Sequence, residues 1–451
     1  AAAAGAFERA IDVLERTERG LLVEDRPSYL DDKGATYHRL TALHLAAGRV
    51  VAALSVAERG KARALVALRE QGGARRAAGS DDEARVAGVL RDRRARVVEA
   101  RRGATPPDAA ELQALEDDLA LRWHRERFGG EPLPDAPHDA GRQRAGPSPG
   151  TAIAPEDPRA ATVAYAALPG GGLAAFVGRD GAWSGRRLTL GLAEVGAFVD
   201  RLHRHLAVAE GLGGERLAAS AAALRAVLGA LWDGLLGPLD LPDGAARLVV
   251  APCGALHRVP FAALWDGRRY LVERASLRMV PTLGLPEPPA RGRGAAVLGC
   301  SLDGALPAAV REAAAVASIH GVAPVLEDGA TLAALLDALA RRALVHVAGH
   351  AVQRPDAPPL AALALADGDL TALELYDAPI AADLVVLAGC DTAAVAPTGA
   401  DEPLGMTHAL LAAGAGSVIA AQWAVHDASS VALMSELHRR LRSGEPREEA
   451  L

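Results

Sequence analysis

The 451-residue chain contains no asparagine, which rules out a Cys-His-Asn catalytic triad. Cysteine is nearly as scarce. Cys253, Cys300 and Cys390 make three, an odd number without CxxC spacing, which argues against a disulfide framework or a zinc ribbon and fits a reducing cytoplasm. Lysine occurs only as Lys33 and Lys61, and despite abundant arginine the net charge is −7, with a pI near 6.0. That balance leaves no electrostatic footprint for nucleic acid, and the arginine-dense run 91–102 reads as one solvated helix face. Long apolar runs are also missing. No stretch offers eighteen clean apolar residues, and no charged segment precedes an apolar one near the start, so neither a membrane span nor a signal peptide is expected. The most apolar window, 410–425, is broken between Gly414 and Ser417 and reads as helix, turn, strand. The chain opens at Ala1 without methionine and stops inside a helical pattern, as a piece of a longer protein would.

Half of the residues are hydrophobic, enough to bury substantial cores, and the patterning changes along the chain. Residues 1–72 are helical: apolar positions recur at helical spacing over 36–70 on both sides of Gly48. This hairpin resembles a tetratricopeptide repeat, with a plain αα-hairpin as the alternative reading. Residues 73–128 form a charged connector with helices expected at 82–101 and 107–127, separated where Pro106 and Pro107 forbid one continuous helix. Residues 129–150, rich in Gly, Pro and Asp, read as a linker. From 151 to 451 strands alternate with helices. The segment 161–188 is an antiparallel meander, with helices expected near 191–210 and 215–235. Apolar runs at 247–252, 295–299, 323–327, 343–349, 383–389 and 416–422 follow, with helices at 307–319, 331–342 and 404–413. Their near-continuous apolar character predicts an α/β fold with a mostly parallel, doubly wound sheet covered on both faces.

Two of those strands share one design. The run 343–349 leaves its strand through Gly349 into His350, and 383–389 leaves through Gly389 into Cys390. Neighbouring strands lie about 4.8 Å apart, and ligands of open α/β sheets bind at the carboxyl edge. A thiol and an imidazole there make a nucleophile and base pair. The bland reading of Cys390 is a small buried hydrophobe. His346 and His350 have the i, i+4 spacing of some zinc sites, but Val347 stands where the glutamate would be, the segment reads as a strand and no third ligand is evident, so no metal is expected. Cys253, with His257 nearby, and Cys300 also follow strands and are expected to be packing residues. His203 and His205 lie on a polar helix face. With no phosphate loop, GxSxG elbow or dinucleotide fingerprint, no cofactor is expected.

Taken in order, the segments 249–285, LVHVAGHA, LVVLAGCDTA and 401–444 resemble the CHAT domain, the caspase-like peptidase domain associated with tetratricopeptide repeats and related to caspases and separases. The resemblance spans roughly 150–451, and ALSVAERGKARAL (53–65) resembles the helices that commonly precede this domain. Cys253 departs from the family pattern, which more often has a polar residue or histidine there. The resemblance implies a caspase-like fold and a cysteine endopeptidase with a His350–Cys390 dyad. It further implies an oxyanion hole formed by the backbone N–H of Cys390 and of Gly349 or Ala351. Trp423 and Asp427 are candidates for the S1 wall by likeness to a Trp-x-x-x-Asp stretch of separases, which predicts a basic P1 side chain. Helix capping is the alternative role for Asp427, and Asp391 is a further candidate. The family also implies bacterial regulated proteolysis, in defence or stress, of a dedicated protein partner such as a gasdermin-like pore former. Separately, a helical hairpin joined to this domain by a charged connector and a Pro/Gly linker suits control by a regulatory protein or sensor bound to the helical region. The competing readings are an inactive caspase-like scaffold docking through its helices, and a thiol acyltransferase.

Overall fold

The computed structural model describes residues 2–19, 33–71, 159–209, 214–241, 246–288, 291–302, 304, 306–352, 354, 357–389, 392–393, 396–397, 401–423 and 427–451. The expected connector helices, the linker, Cys390 and Asp391 lie outside these residues.

The N-terminal region is helical, as expected: α1 (Ala2–Arg19), α2 (Gly34–Ala46), α3 (Val50–Arg59) and α4 (Arg63–Gln71). Gly48 makes the turn between α2 and α3 at φ +70°, a left-handed conformation that glycine adopts without steric cost. The meander follows as β1 (Ala160–Leu168), β2 (Gly172–Arg179) and β3 (Ala182–Arg187), then α5 (Leu192–Ala209) and α6 (Gly214–Leu235). Next come β4 (Arg247–Ala251) and β5 (Ser276–Met279). The rest of the chain comprises β6 (Ala295–Gly299), α7 (Pro307–His320), β7 (Val325–Leu326), α8 (Leu332–Arg341), β8 (Leu344–Ala348) and the short β9 (Ala351–Val352). After it come the hairpin β10 (Ala362–Leu365) and β11 (Gly368–Thr371), α9 (Ala372–Leu375) and β12 (Leu384–Ala388). The last elements used below are β13 (Ala396–Pro397), β14 (Pro403–Leu404), α10 (Met406–Ala413), β15 (Ser417–Ala420) and α11 (Asp427–Arg442).

All the apolar runs read as strands are strands. They sort, among the described residues, into two five-stranded sheets where the sequence pattern reads as one. The first has the order β3-β2-β1-β4-β5, with the antiparallel meander continued by parallel β4 and β5. The second, β15-β12-β8-β6-β7, is parallel throughout. Helices cover both faces of the second sheet: Leu335, Leu339, Ala409 and Leu410 pack on one side, and Ala313, Val316, Met434 and Leu437 on the other. This two-sided burial explains its uninterrupted aliphatic strands.

The N-terminal helices share cores with both sheets. Ala53, Leu54 and Ala57 of α3 pack with Phe176, Ala164 and Ala251 of the first sheet, while Leu65 of α4 packs with Leu411 and Ala412 of α10. No helix among the described residues is long and apolar enough to cross a membrane.

Candidate active site

Strands β8 and β12 are parallel neighbours in register, with Ala348 opposite Ala388. One residue further, the two backbones nearly touch: a methyl group on Gly389 would stand 2.6 Å from the Gly349 carbonyl oxygen. Only glycine at 389 permits that approach, which is why a strand here leaves through a glycine. The next residue on one side is His350, half-buried, with its carbonyl accepting the Ala364 N–H at 2.9 Å. Ala351 belongs to β9, opposite Leu363 of β10, so the hairpin holds the backbone directly after the histidine. The next residue on the other side is Cys390, outside the described residues along with Asp391.

Past Cys390 the chain is held by Thr392, which is 0 % exposed. Its hydroxyl lies 3.0 Å from the carbonyl oxygens of both Leu387 and Gly389, and accepts the Ala421 N–H at 3.1 Å. The Ala393 N–H donates to the Ala421 carbonyl at 2.8 Å. The exit of β12 is therefore pinned to the exit of β15. That second exit carries Trp423, half-buried, and the chain re-enters helix at Asp427, the first residue of α11. Thus β8, β12 and β15 deliver His350, the neighbours of Cys390, and Trp423 to one carboxyl edge.

The other two cysteines differ. Cys253 follows β4 of the first sheet, is buried, and has its thiol pushed far up by burial and by the nearby Asp401 and Glu58 carboxylates, against an opposing pull from Lys61. Such a thiol is inert. His257 Nε2 sits 3.1 Å from Asp401 Oδ1, as a hydrogen-bond partner within the fold. Cys300, also buried, donates its N–H to the Ala348 carbonyl at 3.1 Å. The expectation of packing roles for Cys253 and Cys300 agrees with this burial.

His346 stands inside β8 at 0 % exposure, 3.2 Å from Glu312 of α7, and its other nitrogen meets His438 of α11 at 3.1 Å. His438 continues to His320 at 2.9 Å. Burial and the two neighbouring imidazoles lower His438 to a pKa of about 3, so it is held neutral. Among the described residues no group of three or more His, Cys, Asp or Glu side chains is arranged to hold a metal ion.

Sequence reasoning missed a polar junction at the carboxyl end of β4 in the first sheet. Lys61 is buried, pairs with Glu58 at 2.8 Å and donates to the Ala251 carbonyl. Burial works to lower the Lys61 pKa, but Glu58 and the other nearby anionic groups outweigh it and raise it. Glu58 in turn accepts from Thr282 and the Leu283 N–H. Asp401 accepts the Gly254 N–H, and its carboxyl is held below the usual range: burial pushes it up, but His257, Lys61 and that N–H together prevail. Glu402, 1 % exposed, takes the Ala64 N–H at the start of α4 and His408 of α10. The scarcity of lysine was the one available signal, since a lysine kept in an arginine-rich chain marks a place where the compact ammonium fits and a guanidinium does not.

The family model of the CHAT domain matches residues 225–451. Two crystal structures of the Saccharomyces cerevisiae separase–securin complex have a similar fold. One, at 3.0 Å resolution, gives a TM-score of 0.53 at 11% identity over 95% of this chain and 35% of the matched chain. The other, at 2.6 Å, gives 0.51 at 11% identity over 94% and 35%. The chain thus spans about a third of the protein chains that it resembles, and at this identity the likeness concerns the fold. No curated protein sequence matches the chain.

Proposed function

The chain belongs to the CHAT domain family, and from that premise we propose that it is a cysteine endopeptidase in which Cys390 is the nucleophile and His350 the general acid. The observation that carries the reading is the near-contact of Gly389 with the Gly349 carbonyl, because the residues immediately beyond these glycines are Cys390 and His350. In this reading the Cys390 thiolate adds to the scissile carbonyl, forming a carbon–sulfur bond and a tetrahedral oxyanion. The oxyanion is met by the N–H of Cys390 and of Gly349 or Ala351. His350 gives a proton to the amine as the carbon–nitrogen bond breaks, and water then hydrolyses the thioester. A dyad is sufficient, and the absence of asparagine is no obstacle.

The proposed substrate is a dedicated partner protein, cut in a reducing compartment. A protein ligand is supported by the neighbouring fold, since the similar separase structures are complexes with the protein securin. The bacterial setting and a gasdermin-like pore former as target are expectations carried by the family resemblance, and a sensor acting through the helical region is an expectation from the hairpin, connector and linker that precede the domain. Trp423, Asp427 and Asp391 are proposed for the S1 wall.

An acyloxymethyl ketone thiol probe should label the wild-type chain and not Cys390→Ala. A P1-randomised library of peptidyl coumarins should be cleaved by wild type only, with Cys390→Ala and His350→Ala inactive at unchanged melting temperature. Cleavage by Cys390→Ala at close to the wild-type rate would remove the assignment.

A further inference from the structure

Three histidines form a single file from β8 through α11 to α7. Nδ1 of His346 in β8 meets Nε2 of His438 in α11 at 3.1 Å, and Nδ1 of His438 meets Nε2 of His320, in the last turn of α7, at 2.9 Å. At the inner end Nε2 of His346 stands 3.2 Å from Oε1 of Glu312, and neither atom has another partner among the described residues. The second Glu312 oxygen accepts the Ser430 hydroxyl of α11 at 2.6 Å. Glu312, His346 and His438 are at most 3 % exposed, whereas His320 is half-buried, so one end of the file reaches solvent. The file lies on the face of the second sheet that Met434 and Leu437 of α11 cover. The charged group beside its outer end is Arg442 of α11, which donates to the Ile319 carbonyl. Burial, then Arg442 and the His346 imidazole, lower the His320 pKa, as burial and the two neighbouring rings lower that of His438.

The file has a fixed proton capacity. Each nitrogen–nitrogen hydrogen bond needs one proton and one lone pair, which leaves only Nδ1 of His320 and Nε2 of His346 free to carry more. Three neutral rings bring three protons and the intact file has places for four, so it accepts a single added proton. Shifting the two bonding protons inward moves that charge from His320 to His346, where it faces the Glu312 carboxylate, with no change in ring position. A second added proton must set N–H against N–H and break a bond. We propose that the Glu312–His346–His438–His320 file is an acid-sensitive latch on α11: it stays closed with no added proton or one, and opens when more enter from His320. Rings freed from the file each bind a proton near pH 6.5, so the open form holds more protons than the closed form below that value and is favoured as the pH falls. If the closed form excludes two protons, opening rises about 100-fold between pH 7 and 5; if His320 swings out first and one is excluded, it rises about fivefold. The latch requires nothing of the peptidase reading.

The test is amide hydrogen–deuterium exchange of the full chain between pH 7 and 5, read by mass spectrometry and corrected for the intrinsic pH dependence of exchange. Peptides from α11 should lose protection by about fivefold or more, while those from α8, which packs on the opposite face of the sheet through Leu335 and Leu339, change by less than about twofold. His438→Gln keeps a donor and an acceptor in the file without a titratable ring, and should cut the α11 loss to about twofold. If that variant does not fold, His320→Gln, at the half-buried end, carries the comparison. The proposal is overturned if wild-type α11 loses less than about threefold, if α8 loses protection in parallel, or if the glutamine variant keeps the wild-type dependence on pH.

Discussion

Alanine at position 389 tests how closely the two strand exits approach. Its methyl carbon would lie 2.6 Å from the Gly349 carbonyl oxygen and 3.2 Å from Cγ2 of Thr392, with Ala351 Cβ at 3.6 Å. A carbon and an oxygen rest near 3.3 Å, so about 0.7 Å must be found, and the obstructing atom is backbone. Neither neighbour yields easily: the Ala348 carbonyl is held by the Cys300 N–H, His350 by Ala364, and Thr392 by three backbone partners. Overpacking of this kind costs about 1–3 kcal/mol, read as a fall in melting temperature of about 2–4 °C per kcal/mol or less for a chain of this size. The same displacement moves Gly389 away from Gly349, the chain neighbours of Cys390 and His350, and in the proposed dyad a misplacement of about 1 Å would lower turnover about 100-fold. Gly389→Ala should thus lose far more cleavage than stability. Gly196→Ala is the control: it lies inside α5 with its nearest outside neighbour at 4.0 Å and should stabilise by about 0.5–1 kcal/mol. Thermal melts and library cleavage for the three proteins decide the matter. Gly389→Ala melting and cleaving like wild type would refute the proximity argument.

Four further outcomes are expected. His438 has a folded-state pKa of about 3 against an ordinary 6.5, so the native state binds fewer protons than the unfolded one between these values, and stability is lost as pH falls below about 6.5. Urea melts of wild type and His438→Gln between pH 7 and 4 should differ in slope by up to about 1.4 kcal/mol per pH unit, and equal slopes would contradict the burial argument. Lys61→Met leaves Glu58 without its cation and should destabilise by on the order of 3 kcal/mol in chemical denaturation, with Glu58→Gln/Lys61→Met recovering part of the loss. Cys253→Ala should cleave like wild type, and the native Cys253 thiol should resist iodoacetamide, as its raised pKa requires. Arginine or lysine should lead a P1 library, and Asp427→Ala should reduce that preference about tenfold or more with little change in melting temperature; a library led by leucine, methionine or aspartate would leave Asp427 as a helix-capping residue.

Much of the fold is legible one segment at a time. The aliphatic runs at 343–349 and 383–389 became β8 and β12 almost to the residue, and the helical spacing over 36–70 became α2, α3 and α4. The misses are short or weakly patterned. β10 and β11 are built from ALAL and GDLT, where alanine and aspartate carry little strand preference, and β9 has two residues. β5 sits at a sheet edge with half of its residues exposed, so no aliphatic run announces it.

The candidate site divides along the same line. By itself the sequence determined that a histidine and a cysteine each follow a strand and a glycine, because side-chain periods of two and 3.6 residues are local properties that survive in a one-dimensional string. Tertiary structure alone decided that these two strands are neighbours in one sheet while β4, with an equally placed Cys253, lies in the other. It also decided that Thr392 finds Ala421, that Lys61 finds Ala251, and that His346 finds His438. Those partners are separated by 29 to 190 positions and are mostly backbone atoms, which have no residue type for a sequence pattern to display. Adjacency of that kind is set by which buried faces fit together after long loops have closed, and only the folded chain contains it.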